Sequence, residues 1–303
     1  MTEAEIIERL RRLFPAIGDD AAVVGEQVIT TDMLIEDVDF TRKTPIEFVA
    51  RKSVAANLSD LAAMGATPAF AVVALGAPKW LDIVQFMTEM ASAAKKYSLE
   101  IVGGDLSRSE KLVVSIAAIG RAKRPLLRSG AKPGDRIFVS RPLGASSAGL
   151  QLVQRPPGDA SYAVREFAEA VIQRHLDPEP EVALGMALAQ IDAVTACIDI
   201  SDGLSTDLNH VCDASGVGAD VERARIPVFP DLERAGPALG IDVRAAVLNG
   251  GEEFALLFTA SMRESELSSK LGRPVYAIGR ISEQRGVRLD GQPLAAGGFD
   301  HFA

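Results

Sequence analysis

Five apolar stretches of this 303-residue chain end alike, with one or more Asp beside Gly, Ser or Thr. They are "IGDDAAVV" (Asp19, Asp20), "ITTDMLIEDVDF" (Thr30, Thr31, Asp32, Asp37, Asp39), "NLSDLAAMG" (Asp60), "VGGDLSRS" (Asp105) and "IDISDGL" (Asp199, Ser201, Asp202). Any fold that buries the apolar runs must find water or a shared cation for the carboxylates at their ends, because unpaired carboxylates repel one another and resist desolvation. Taken singly, each Asp has a plain explanation as a turn residue or a helix cap. Together, with few bases among them, they read as hard oxygen ligands for Mg²⁺ or a similar ion. The segment Cys197–Leu208, "CIDISDGLSTDL", is the densest case and contains no Lys or Arg. Within it Asp199 and Asp202 flank Ser201 at a strand-to-helix turn, whereas Asp207 lies a full turn into the helix and is expected to be structural.

Periodicity places these ends on elements. Thr2 with Glu5 reads as a capping box opening an amphipathic helix. Thr44, Pro45 and Glu47 announce a second helix running to about Met64, with Thr44 as its cap. Ser53, Asn57 and Asp60 share one face of it, a polar stripe that faces either water or a site. Strands are expected at "AAVVG", "QVITTDML", "AFAVVAL", "LEIVGG", "KLVVSIAAIGR", "RIFVS", "AVTACIDI", "GADVE", "EFALLFT" and "VYAIGRI". Helices are expected near 81–97, 163–174, 182–191, 204–214 and 264–270. The Gly-, Pro- and charge-rich "RSGAKPGD" (Arg128 to Asp135) marks a domain boundary, and the alternation on either side of it reads as two α+β domains.

Composition narrows the chemistry. A net charge of −9 leaves no basic footprint for nucleic acid or an anionic membrane, so an anionic ligand needs positive charge from elsewhere. The longest uncharged stretch, Leu61 to Pro78, is broken by Gly65, Pro68 and Gly76, which argues against a membrane span. The N-terminus lacks the apolar core of a signal peptide, and Cys197 and Cys212 form no CxxC pair; both point to a reducing, cytoplasmic setting. His175, His210 and His301 are scattered and make no zinc pattern. Neither a P-loop nor a GxGxxG turn is present. Gly103-Gly104 lets the backbone approach a phosphate or simply makes a tight turn, and Arg128 and Lys132 are either phosphate-binding cations or solvated linker charges.

In order and spacing, the motifs above, with "LLRSGAKPGDRIFVS", "NGGEEFALLF" and the terminal "FDHFA", resemble the thiamine-monophosphate kinases. The resemblance covers nearly the whole chain. It implies the superfamily of aminoimidazole ribonucleotide synthetase and selenophosphate synthetase: an α+β, two-domain fold in which residues 1–130 bind ATP and magnesium and build a homodimer barrel, while residues 131–303 complete the nucleotide and substrate site. It further implies phosphorylation of thiamine monophosphate by ATP with several Mg²⁺ ions. By that resemblance Asp19, Thr30, Thr31, Asp32, Asp60, Asp105, Asp199 and Asp202 form the metal set. Tyr97, Gly104, Asp105, Arg128 and Ser201 contact the nucleotide, and Asp39, Glu252 and Phe299 contact the substrate. The chain departs from the usual pattern at Asp39, Leu106, Glu253 and Phe254; Asp39 replaces a potential cation with a carboxylate, which suits a thiazolium better than a phosphate.

No general base is expected, because a phosphate monoester is already ionised near neutral pH. Direct in-line transfer then depends on positioning and charge neutralisation. The rival readings are another ATP-dependent member of the superfamily, such as a synthetase or a hydrogenase-maturation dehydratase, and a non-enzymatic magnesium-nucleotide binder. The absence of a reactive Cys near the N-terminus and of a Cys-terminated tail argues against the enzymatic rival.

Overall fold

A computed structural model describes residues 3–156, 158, 162–299 and 301–302. The Thr2 half of the expected capping box and parts of the "FDHFA" tail, Asp300 and Ala303, lie outside the described residues.

The first half runs α1 (Glu3–Arg11), β1 (Ala22–Val24), β2 (Gln27–Ile35), α2 (Ile46–Ala63), β3 (Thr67–Ala77), α3 (Ile83–Lys96), β4 (Glu100–Arg108) and β5 (Val113–Arg121). Its five strands form a sheet in the order β1-β2-β5-β3-β4, antiparallel except for the β3–β4 pair. Residues on β2, β3 and β5 alternate in burial, so one face of the sheet packs inward. Val28, Thr30 and Leu34 point inward with Asp32, while Thr31 and Met33 point the other way.

The second half runs β6 (Arg136–Val139), α4 (Ala145–Gln154), α5 (Tyr162–Leu176), α6 (Val182–Leu188), β7 (Val194–Asp199), α7 (Leu204–Ser215), β8 (Gly218–Val221), α8 (Leu232–Ala235), α9 (Val243–Asn249), β9 (Leu256–Ala260), α10 (Glu264–Leu271), β10 (Tyr276–Ser282), β11 (Gly286–Leu289) and β12 (Gln292–Pro293). Its seven strands are ordered β12-β11-β8-β10-β6-β9-β7. Strand alternation divides them between two cores: Phe138, Cys197, Leu256 and Phe258 join the residues of α2 and the first sheet, whereas Ile137, Val139, Ile198 and Leu257 face α4 and α7. Phe138 and Phe258, cross-strand partners, stack with centroids 5.3 Å apart.

α2 joins the halves. Every residue from Val49 to Ala63 except Arg51 and Asp60 is buried, and α2 touches the first sheet, α3, α6 and β7. Small residues allow this crowding: a Cβ on Gly185 would lie 1.9 Å from the Ala62 carbonyl oxygen.

Two local expectations are corrected. Thr44 does not cap α2; its hydroxyl accepts the Thr41 N–H at 3.3 Å, and Pro45 holds the cap position without a side-chain bond. The strand expected to stop at Gly104 continues as β4 to Arg108, because Gly104 takes φ +158° where a Cβ would sit 1.9 Å from the Val73 carbonyl oxygen.

Candidate active site

The polar stripe of α2 faces inward, onto a pocket of carboxylates. Asp199 follows Cys197 by two positions on β7, so it shares the strand face turned to α2 and accepts a hydrogen bond from the Ser59 hydroxyl. Asp60 accepts from the Thr30 hydroxyl, and Asn57 Oδ1 accepts the Asp32 N–H at 3.2 Å. Asp20 completes the group from the loop before β1. Carboxylate oxygens of Asp20, Asp60 and Asp199 all lie within 4.8 Å of one another.

Among the described residues one cation, Arg128, bonds to this pocket. Arg128 donates to Asp20 Oδ1 from Nη2 at 2.6 Å and from Nε at 3.1 Å, while its backbone N–H donates to Asp19 Oδ1 at 2.7 Å. Burial opposes the Arg128 charge, yet Asp20 and then Asp199 and Asp207 hold its pKa above the usual guanidinium range. Charge remains unbalanced. Burial, followed by the charge of Asp20, pushes Asp199 up to about 8. Burial, then Asp39, Asp20 and Asp202, pushes Asp32 up to about 6. Asp60 is raised well above the ordinary carboxylate range by burial and by Asp32, Asp199 and Asp20. The Oδ2 atom of Asp20 is buried with no hydrogen-bond partner. Crowded carboxylate oxygens, one of them orphaned, with hydroxyls beside them, are the donor set a hard divalent cation takes, and a single arginine does not neutralise them.

A second group adjoins the first at the start of α7. Asp202, Asp207 and His210 offer ligand atoms within 4.8 Å of one another. Asp207 Oδ2 accepts the Gly203 N–H at 3.0 Å, which ties down the turn after β7. Burial, then Asp202 and Asp199, raises the Asp207 pKa well above its usual range, while burial lowers that of His210 to about 4.

Two of the three residues implied as substrate contacts, Glu252 and Phe299, meet at the turn after β7. The Ser201 carbonyl accepts the Glu252 N–H at 2.7 Å, and the Asp202 carbonyl accepts the Phe299 N–H at 3.2 Å. Glu252 takes φ +55°, a left-handed conformation that a non-glycine residue holds only when its surroundings fix it. Asp39 Oδ2 accepts the Ile35 N–H at 2.7 Å, which curls the loop after β2 back beside Asp32. Phe299 is exposed and meets His301 edge-on at 4.8 Å.

Thr31, Gly104, Asp105 and Tyr97 stand apart from this assembly. The register Asp32–Ile116–Val73–Gly104 puts three strand spacings, about 14 Å, between Asp32 and Gly104. Asp105 pairs with Ala74 on the outward face of the sheet, the face that also carries Thr31. Tyr97 lines a separate cavity of about 280 Å³ with Arg51, Lys96, Arg174, Asp177 and Glu179. Sequence reasoning put Asp20 in a carboxylate cluster but left it out of the metal set, gave His175 and Glu253 no part in the site, and missed Ser59 and Lys52. Of these only Asp20 carried a sequence signal, its place in the "IGDDAAVV" cluster.

Comparison with known proteins places the chain. The family description "AIR synthase related protein, N-terminal domain" matches residues 18–122 and its C-terminal counterpart matches residues 132–292. Thiamine-monophosphate kinase of Aquifex aeolicus is 34% identical over 94% of this chain and 92% of its own length. The enzyme of that name from Salmonella typhimurium is 37% identical, covering 95% and 91%. A solved structure of AaThiL complexed with AMPPCP and TMP superposes with a TM-score of 0.90 at 32% identity, covering 99% of this chain and 97% of that one. The hydrogenase maturation protein HypE shares the fold alone, with a TM-score of 0.72 at 19% identity over 92% of each chain. The chain therefore belongs to the AIR synthase related protein family and, within it, to the thiamine-monophosphate kinases.

Proposed function

We propose that this chain transfers the γ-phosphoryl group of ATP to thiamine monophosphate, giving ADP and thiamine diphosphate. The observation that carries the reading is the convergence of Asp20, Asp32, Asp60 and Asp199, with Arg128, on a turn whose carbonyls hold Glu252 and Phe299. The AaThiL structure bound to AMPPCP and TMP, an ATP analogue and the acceptor, supports it. The bond from the γ-phosphorus to the ADP oxygen breaks as a bond from the acceptor phosphate oxygen forms, in line and without a phosphoenzyme.

Asp19, Thr30, Asp32, Asp60, Asp199 and Asp202 are the residues proposed to hold Mg²⁺ at the pocket, with Asp20 added by the geometry, while Thr31 and Asp105, on the outer face of the sheet, enter the proposal only as ligands outside that pocket. What such ions supply when bound is charge screening between the donor and acceptor phosphates. Arg128, steadied by Asp20, is proposed to meet the transferring group. Gly104, Asp105, Ser201 and Tyr97 are proposed nucleotide contacts; Asp39, Glu252 and Phe299 are proposed acceptor contacts, the two carboxylates suiting a cationic thiazolium. In this reading residues 1–130 supply most of the metal and nucleotide side, and residues 131–303 complete the site.

Homodimerisation belongs to the same proposal. The outward face of the first sheet exposes Met33, Phe70 and Val72. An apolar surface of this kind on one face of a sheet suits burial against a second copy, which would also cover Thr31 and Asp105. No helix among the described residues is long and apolar enough to cross a membrane, and a cytoplasmic setting is proposed.

A coupled assay with ATP, Mg²⁺ and thiamine monophosphate tests the reading, with thiamine as control acceptor. ADP should appear with the monophosphate only; turnover of thiamine alone would contradict the assignment.

A further inference from the structure

Lys52 is the only cation among the buried residues of α2, with 6% of its side chain exposed. Its Nζ lies 2.6 Å from Glu252 Oε2, an ion pair that joins the first half of the chain to the second. The same carboxylate oxygen is 3.5 Å from Nδ1 of His175, which is 3.2 Å from the Ser146 hydroxyl. Burial and then the Lys52 charge lower the His175 pKa to about 3, so the ring is neutral and the charge facing Glu252 is that of Lys52. The Glu252 backbone is fixed separately, by its φ of +55° and by the Ser201 carbonyl. A buried ion pair adds little net stability, because desolvation offsets the attraction. This one instead determines where a carboxylate points.

We propose that Lys52 is a positioning residue of the acceptor site, its ammonium orienting the Glu252 carboxylate toward thiamine monophosphate. The proposal rests on the reading of Glu252 as an acceptor contact. Asp60 follows Lys52 by eight residues on α2, a rise of about 12 Å, so one rigid helix carries both the group that orients the acceptor and a carboxylate of the metal pocket. Placement of acceptor and donor is then set by a single element.

The test uses the full-length protein and compares wild type, Lys52→Met, Lys52→Arg, Glu252→Gln and the Lys52→Met/Glu252→Gln double variant, with thermal melts to check folding. Lys52→Met should raise KM for thiamine monophosphate about tenfold and leave KM for ATP within about twofold. Lys52→Arg, which keeps the charge, should recover most of the loss. On the Glu252→Gln background, where no unpaired charge threatens folding, adding Lys52→Met should change the acceptor KM by less than about twofold. An unchanged acceptor KM in folded Lys52→Met, a parallel rise in both KM values, or multiplying effects in the double variant would overturn the proposal. Absence of turnover in the unaltered protein counts against phosphoryl transfer and not against Lys52, whose effect is then read in calorimetric binding of thiamine monophosphate.

Discussion

The two ends of α2 carry buried charge in opposite balance. At Asp60 the helix meets Asp20, Asp32 and Asp199 with a single arginine among them. At Lys52, two turns earlier, one ammonium meets one carboxylate with a neutral histidine beside them. Lys52 is as buried as the pocket carboxylates although Glu252 is partly exposed, and the two places differ most in the sign of the uncompensated charge. A deficit of positive charge marks the place where a diffusible cation is required, whereas a closed balance marks a place that fixes geometry.

The largest test of this contrast is Asp60→Asn. Removing a carboxylate where charge neutralisation does the chemistry should lower kcat by on the order of a hundredfold or more and move the magnesium dependence to higher concentration. Wild-type turnover at low magnesium would sink the metal assignment.

A second test uses Glu253, the fully buried acid beside the Lys52 end. Its Oε1 accepts the N–H groups of Gly144 and Ser146 at 2.9 and 3.0 Å, but burial outweighs them and pushes its pKa up to about 7 from 4.5. The folded state thus keeps a proton that the unfolded chain loses above about 4.5, so its stabilising contribution is complete below that pH and vanishes as the pH rises through 7. Glu253→Gln should remove on the order of 3 kcal/mol of pH dependence between those limits, read as the difference between wild-type and variant denaturant melts across pH.

The smallest effect is the most diagnostic because it changes sign. In EDTA, Asp199→Asn removes a carboxyl whose ionised form is opposed by burial and then by Asp20, and should raise unfolding free energy by about 1–2 kcal/mol, while Lys52→Met leaves Glu252 without its partner and should lower it by a similar amount, discounted for the partial exposure of Glu252. Equal signs in urea melts would erase the distinction between the two ends.

Much of this organisation was legible before the structure. Asp60 and Asp199 could be found because helix and strand periodicities fix the face of a residue once the element is known, and the ends of apolar runs located both. Asp20 could not be preferred to Asp19 by the same logic: adjacent residues in a turn have no period, and only the packed loop turns Asp20 to the pocket and Asp19 to the Arg128 backbone. Lys52 was invisible for another reason. A lysine between Arg51 and Ser53 looks solvated, and its burial depends on Glu252, a partner separated by 200 positions. Thr31 and Asp105 fit their motifs, yet strand alternation and register carry them to the outer face of the sheet, a separation that motif spacing does not encode.

The main-chain carbonyls of Ser201 and Asp202 accept the N–H groups of Glu252 and Phe299, donors that every residue but proline possesses. The exposed side chain at position 299 can therefore be exchanged without loosening the turn that presents Asp199 and Asp202, whereas the positive φ of Glu252 and its pairing with buried Lys52 restrict position 252. On the proposed assignment of Phe299 as an acceptor contact, its side chain can vary while the turn keeps its place. A change in loop length between Asn249 and Phe254 has no such freedom, since it would pull the 252 amide from its carbonyl and disturb both functions at once.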